Sequence, residues 1–411
     1  MGPMTAEVRH RLAVTAAYFT AFVALGLFAA SLGPTLPGLA ENTRSALGQI
    51  SYLFTARAFG YLLGSFFGGQ LYDRLPGHRV MVLALAAMAL VLLGMPLIPL
   101  LPLLVAVILL GGIAEGVLDV GGNTLLVWLH RDRVGPFMNG LHFAFGLGAF
   151  LAPIVIAQAM LFSGGIRGAY WALALLMAPP LFWLWPLQSP LPLATRGERS
   201  ERSDGRRVVV RPLLVAVIAL FCFLYVGAEV SFGGWIYTYA TTQMLATATT
   251  AAYLTSLFWG ALTLGRLLAI PIALRLRPRT ILFADLIGCL TGVAAILLWP
   301  RSPALLWGAA FLIGFAMASV FPTMLAFAAR RMTTTGAVTA WFLVGGSSGA
   351  MLTPWVIGQL FQSVGPRVVM LAIGLDLVLA LVVLVALVAR WGGPHSERDE
   401  RNEQPEAATP R

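Results

Sequence analysis

Apolar runs of roughly 20 residues recur along nearly the whole chain, separated by short polar stretches. A helix of that length crosses a hydrocarbon core of about 30 Å. Twelve runs are read: 12–34, 47–71, 79–99, 103–129, 137–161, 168–187, 211–240, 250–273, 280–299, 303–329, 337–361 and 367–390. The pattern predicts an all-α polytopic membrane protein with twelve transmembrane helices. The first run follows Arg9 and Arg11 as a secretory signal would. It lacks an obvious small-residue cleavage site and is long enough to span, so it is expected to stay as the first helix.

The two halves of the chain repeat one another. At a constant offset of 201 residues, Gly26 meets Gly227, Gly33 meets Gly234, Tyr52 meets Tyr253, Gly64 meets Gly265 and Arg74 meets Arg275. GAFLAP at 148–153 meets GAMLTP at 349–354, with four identities in six. Six spans repeated in parallel orientation imply two pseudo-symmetric six-helix bundles, here 1–187 and 212–390, with a cytoplasmic linker over 188–211. Bundles so related move as rigid bodies about a site at their interface, the architecture of alternating access. The polar end, 391–411, is expected to be a disordered cytoplasmic tail.

Composition agrees with this setting. Of the 411 residues, 59% are hydrophobic and 11% charged, where soluble domains carry about a quarter charged; mean hydropathy is +0.84. All 27 basic residues are arginines. With the N-terminus placed in the cytoplasm, 21 arginines fall in inside segments, four (Arg44, Arg167, Arg301 and Arg367) in outside loops, and Arg57 and Arg266 within helices. That bias follows the positive-inside rule and places both termini in the cytoplasm. Topology thus accounts for the net charge of +10 without a nucleic-acid partner. Arginine without lysine points to a GC-rich bacterial genome, hence the inner (plasma) membrane.

Cys222 and Cys289 lie mid-helix as small apolar residues. The histidines, cysteines and acids show no metal-ligand spacing, and no serine sits in a nucleophile motif. Neither an enzyme nor a cofactor is expected.

The turn after the second run, GGQLYDRLPGHR, with Gly69, Asp73, Arg74, Gly77 and Arg79, resembles the loop signature of the major facilitator superfamily. Pro76 lengthens the gap between Asp-Arg and glycine by one position. FLYVGAEVSFGGW (223–235), SVFPTMLAFA (319–328) and DVGGN (119–123) resemble the fucose–proton symporter and sodium-dependent glucose transporter groups of that superfamily. LHFAFGLGAFLAP (141–153) is more similar to the second group. The resemblance implies the major facilitator fold, a monomer, and a helix-four coupling acid at Asp119, where the fucose symporters have glutamate. Those symporters also carry an acid in the first helix, which residues 12–34 lack.

Glu115 and Asp119 share one helical face, and Asn123 continues it. Acids at that depth must face protein or water. Two like charges one turn apart resist joint ionisation, so one is expected to take up a proton, or the site holds sodium with Asn123. Arg57 lies at the depth of Glu115, and an Arg57–Glu115 pair would be structural or gating. Glu229, Trp235 and Asn139 are further candidates for solute contact, against packing or interface anchoring. His142 is a candidate proton relay, against simple helix packing. Gln158 and Gln359 offer further hydrogen bonds. Arg266 with Asp285, and Asp73 with Arg74 and Arg79, are expected to tie the helix hairpins at their bases. Asp376 has no evident partner in sequence.

The function expected is secondary active transport of a small polar solute, a monosaccharide by class, coupled to a proton or sodium. Efflux of hydrophobic or amphipathic compounds is the alternative, lipid export included. A membrane receptor or scaffold is the non-transport alternative.

Overall fold

The structure, a computed structural model, describes residues 6–190 and 210–391. Every regular element among these residues is a helix. Ten helical stretches are long and apolar enough to cross a membrane. The other two expected spans are present in altered form. Tyr52–Arg74 is a full helix whose arginines, tyrosines and glycines dilute its hydropathy. The sixth span splits into Ile166–Leu175 and Ala178–Leu184. Pro179 and Pro180 lack the N–H groups that would continue the ladder past the break.

The same chemistry breaks two other spans. The first runs from Ala6 to Ala29 and resumes over Leu32–Thr43, a piece that holds Pro34 and Pro37. The tenth runs over Pro303–Met317 and resumes over Val320–Ala329, with Pro322 just beyond the break. The unbroken third, fourth, fifth and seventh spans are Gly77–Gly94, Leu101–His130, Gly135–Ser163 and Pro212–Thr242. The eighth, ninth, eleventh and twelfth are Ala248–Arg275, Pro278–Leu298, Gly336–Val364 and Val368–Trp391.

Small residues set the helix crossings, as expected where lipid supplies no hydrophobic drive between helices. Gly26 and Gly148 lie at the crossing of the first and fifth spans, where any side chain would strike backbone. Gly227 and Gly349 hold the equivalent positions between the seventh and eleventh, where a side chain at 349 would strike the Phe223 backbone and one at 227 the Thr353 side chain. Both pairs are related by the 201-residue offset. The second and fourth spans interlock as tightly: Gly60 and Gly64 face 109–113, while Gly112 and Gly116 face Arg57 and Tyr61.

At the start of the third span His78 is buried (2% exposed). Its Nδ1 lies 3.0 Å from the Leu187 carbonyl, which can only accept. The Nδ1 therefore carries the proton and Nε2 accepts from Tyr18 Oη at 2.7 Å. The His78 backbone N–H donates to Ser189 Oγ, so the third span holds the first residues after the sixth. Residues 191–209 of the expected linker, and the tail beyond Trp391, lie outside the described residues.

Candidate functional site

A cavity of about 870 Å³ opens between the two halves. Gly33, Phe54, Gly233 and Trp259 line one end of it, and Asn139, Leu276, Pro278 and Arg330 the other. The second group sits where the spans meet the arginine-rich segments, so the cavity extends toward that side.

On the opposite side the halves are sealed. Gln359 Nε2 donates to the Gly48 carbonyl at 2.6 Å. Thr55 Oγ1 donates to the Met351 carbonyl at 3.1 Å, and Ser51 Oγ to the Trp355 carbonyl at 3.5 Å. Gln158 donates to the Tyr253 hydroxyl, and Ser256 to the Phe150 carbonyl. Gln158 and Gln359, which sequence offered to a solute, belong to this seal.

The wall from the first half carries two rungs between the second and fourth spans. In one, Arg57 Nε and Nη2 grip Glu115 Oε2 and Oε1 at 2.8 and 2.6 Å. The Glu115 side chain is 6% exposed and that of Arg57 19%. The pair foreseen from depth is formed, and both Glu115 oxygens are occupied by it. In the other rung, Tyr61 Oη donates to Asp119 Oδ2 at 2.6 Å. Asn123 Nδ2 donates to Asp119 Oδ1 at 3.1 Å and to the Asp119 carbonyl at 2.8 Å. Asp119 lines the cavity, whereas Asn123 is not on its wall. The expected solute contact at Asn123 is thus corrected: its amide orients Asp119.

The opposite wall comes from the seventh, eighth and tenth spans. Glu229 lines it, held by the Tyr225 hydroxyl, which also lies 2.5 Å from the Met317 carbonyl beside the break in the tenth span. Arg266 Nη2 stands 3.9 Å from Glu229 Oε1. This overturns the expected Arg266–Asp285 tie. Arg266 turns into the cavity, while Asp285 of the ninth span accepts from the Ser319 hydroxyl. Asp376 has a partner that sequence could not supply, Thr353 Oγ1 at 2.8 Å.

Other candidates divide in the same way. Asn139 and His142 line the cavity from the fifth span, and His142 meets the edge of Phe22 at 6.4 Å. Trp235 does not reach it. Its indole is fully buried, lies 5.4 Å from Phe361, and donates its N–H to the Pro354 carbonyl at 3.1 Å, which makes it packing. Asp73, Arg74 and Arg79 are exposed and form no ion pair among the described residues, contrary to the expected tie at the hairpin base. Sequence reading missed Tyr61, Tyr225, Trp259 and Ser319. Tyr61 carried a usable signal: it follows Arg57 by four residues, as Asp119 follows Glu115.

Among the described residues, no group of three or more His, Cys, Asp or Glu is placed to hold a metal ion. The chemistry available is that of a mostly apolar cavity between the halves, into which a few charged and polar side chains, Arg57, Glu115, Asp119, Glu229 and Arg266 among them, are set.

Comparisons with known proteins agree with this architecture. Sodium-dependent glucose transporter 1A of Mus musculus is 31% identical over 374 residues, covering 83% of this chain and 88% of its own. Sodium-dependent glucose transporter 1 of Xenopus laevis is 34% identical over 363 residues, covering 80% and 72%. Among solved structures, the xylose transporter XylE from E. coli in a partially occluded inward-open conformation superposes with a TM-score of 0.74 at 14% identity. That match covers 92% of this chain and 99% of the other. The family model of the Major Facilitator Superfamily matches residues 16–354. With two pseudo-symmetric halves, a cavity between them and this match over most of its length, the chain belongs to the major facilitator superfamily of membrane transporters.

Proposed function

We propose that this transporter moves a small polar solute, a monosaccharide by class, coupled to the movement of a proton or sodium ion. The observation that carries the reading is the contrast between the two acids of the fourth span. The charge of Glu115 is cancelled by Arg57. Asp119, itself on the cavity wall, meets only the neutral donors Tyr61 and Asn123. Its charge is balanced from the cavity, and binding or release of an ion there changes the electrostatics of the site. The names of the glucose-transporting relatives support the sugar class. Asn139 and His142 supply polar groups with no side-chain hydrogen bond of their own among the described residues.

In this reading residues 1–187 and 212–390 rock as two bodies, as a monomer, with both termini in the cytoplasm of a bacterial inner membrane. The conformation described, open toward the arginine-rich side, is then inward-facing.

The test is solute-driven pH change in proteoliposomes, with fucose, glucose and galactose, with and without sodium, beside Asp119→Asn. Sugar-induced external alkalinisation that the variant loses establishes proton symport through Asp119. Uptake that needs sodium and moves no protons assigns sodium coupling. The cavity also carries Phe22, Phe54, Phe143 and Phe321, which favours efflux of amphipathic compounds as the second reading. No response to any sugar under either gradient selects it.

A further inference from the structure

Trp259 stands at the sealed end of the cavity, on the face of the eighth span that also carries Thr263 and Arg266. Gly233 of the seventh span makes room for it: a methyl group there would lie 2.6 Å from the indole Cζ2. Phe258 meets the indole edge-on at 5.1 Å. The Thr263 hydroxyl, one turn along, donates to the Trp259 carbonyl at 2.8 Å and so anchors the backbone beneath the ring.

The indole N–H of Trp259 is shielded from solvent and has no acceptor. A buried donor left unpaired loses its water and gains nothing in return, and buried tryptophans ordinarily find an acceptor. Trp235 has the Pro354 carbonyl and Trp171 the Leu93 carbonyl. Trp355 shares the orphan N–H but lies off the cavity wall, beside Tyr52. For packing alone phenylalanine would serve at 259 and leave no donor stranded. Around the cavity, the polar groups of Arg57, Glu115, Asp119 and Glu229 are already engaged with protein partners. Trp259 joins an apolar ring on the wall to a donor that is still free.

We infer that Trp259 is the residue that recognises the solute: its ring takes the apolar face of the sugar, and its N–H donates to one solute oxygen. The donor is shielded in the present state, so the indole must turn toward the solute as the halves close. This rests on the monosaccharide reading of the site and deepens it. It explains why an orphan donor is kept beside the cavity: its acceptor arrives with the cargo.

The experiment compares wild type and Trp259→Phe in proteoliposomes, measuring KM and maximal rate for the parent sugar and for its series of monodeoxy analogues. Expected is a KM about tenfold higher for the parent sugar at an unchanged maximal rate. For the one analogue that lacks the contacted hydroxyl, the penalty should shrink below about twofold, since neither partner of the bond remains. An unchanged KM, or an equal penalty across the whole series, overturns the assignment. If Trp259→Phe does not fold, incorporation of a tryptophan analogue with sulfur in place of the ring N–H gives the same comparison with the ring shape kept. Wild type that neither binds nor moves any sugar would instead sink the monosaccharide reading beneath it, a result visible before any variant is made.

Discussion

Arg57 and Glu115 illustrate how a buried charge is tolerated in an apolar medium. Each guanidinium–carboxylate contact is short and the pair is bidentate, so neither partner is left facing hydrocarbon alone. Removing one partner strands the other. Glu115→Ala is therefore expected to cost about 3 kcal/mol, read as a lower temperature at which the detergent-solubilised protein loses its monodisperse peak. The double change Arg57→Met with Glu115→Leu should recover most of that loss, because no charge is left stranded. Asp119→Asn should behave differently. An amide oxygen still accepts from Tyr61 and Asn123 keeps its bond to the main-chain carbonyl of residue 119. Only the Asn123 contact to the second oxygen goes, so stability should fall by about 1 kcal/mol while coupling is lost. If Asp119→Asn destabilises as much as Glu115→Ala, Asp119 is structural. The acids themselves were legible in sequence, because a carboxylate inside an apolar run stands out. Their partners were not, since Tyr61, Ser319 and Thr353 are ordinary residues whose role depends on rotation and depth of a second helix.

At the scale of the element, ten of the twelve apolar runs translate into helical stretches long and apolar enough to span, because length and hydropathy are local properties. The breaks at 30–31, 176–177 and 318–319 also have local causes in nearby prolines. Helix pairing is different. Trp235 and Trp259 are indistinguishable as tryptophans in apolar runs, and only the packing of seventh on eighth span separates core from cavity wall. The repeat at 201 residues gave the exception, because glycines at equivalent positions mark equivalent crossings. Gly148→Val drives a branched side chain into the backbone of the first span, and Gly349→Val does so against the seventh. Both variants are expected to abolish the monodisperse peak on size-exclusion chromatography. Gly308→Ala has nothing within 4 Å to strike and should leave the peak as it is. Tolerance of either valine would mean that the crossings are looser than described.

The whole molecule closes on one side through six polar links between halves and stays open on the other. Each link contributes about 1 kcal/mol, so no single one locks the state, yet each biases it. Gln359→Ala removes its links to Gly48 and Ser51 and should shift the population toward the alternative, with the arginine-rich side closed. A reporter at Ala326→Cys, on the cavity wall, reads this as slower alkylation from the arginine-rich side, by about fivefold. Both native cysteines are buried, which keeps the background low. Unchanged labelling would remove Gln359 from the gate. Sequence showed the halves but not which side they close on, because closure depends on how two rigid bodies are tilted, and both tilts use the same residues.

Four of the six links in the seal run from a side chain to a main-chain oxygen: Gly48, Met351, Trp355 and Phe150 each offer a carbonyl. Every residue type has that oxygen, so substitution at the accepting positions leaves the link chemically available wherever the new side chain fits. Only the donor side is exposed to mutational loss. As related sequences drift, Ser51, Thr55, Ser256 and Gln359 should therefore interchange among small hydroxyl and amide residues, while their acceptors vary within the limits of space. The gate is encoded in half of its contacts and inherited from the backbone in the other half.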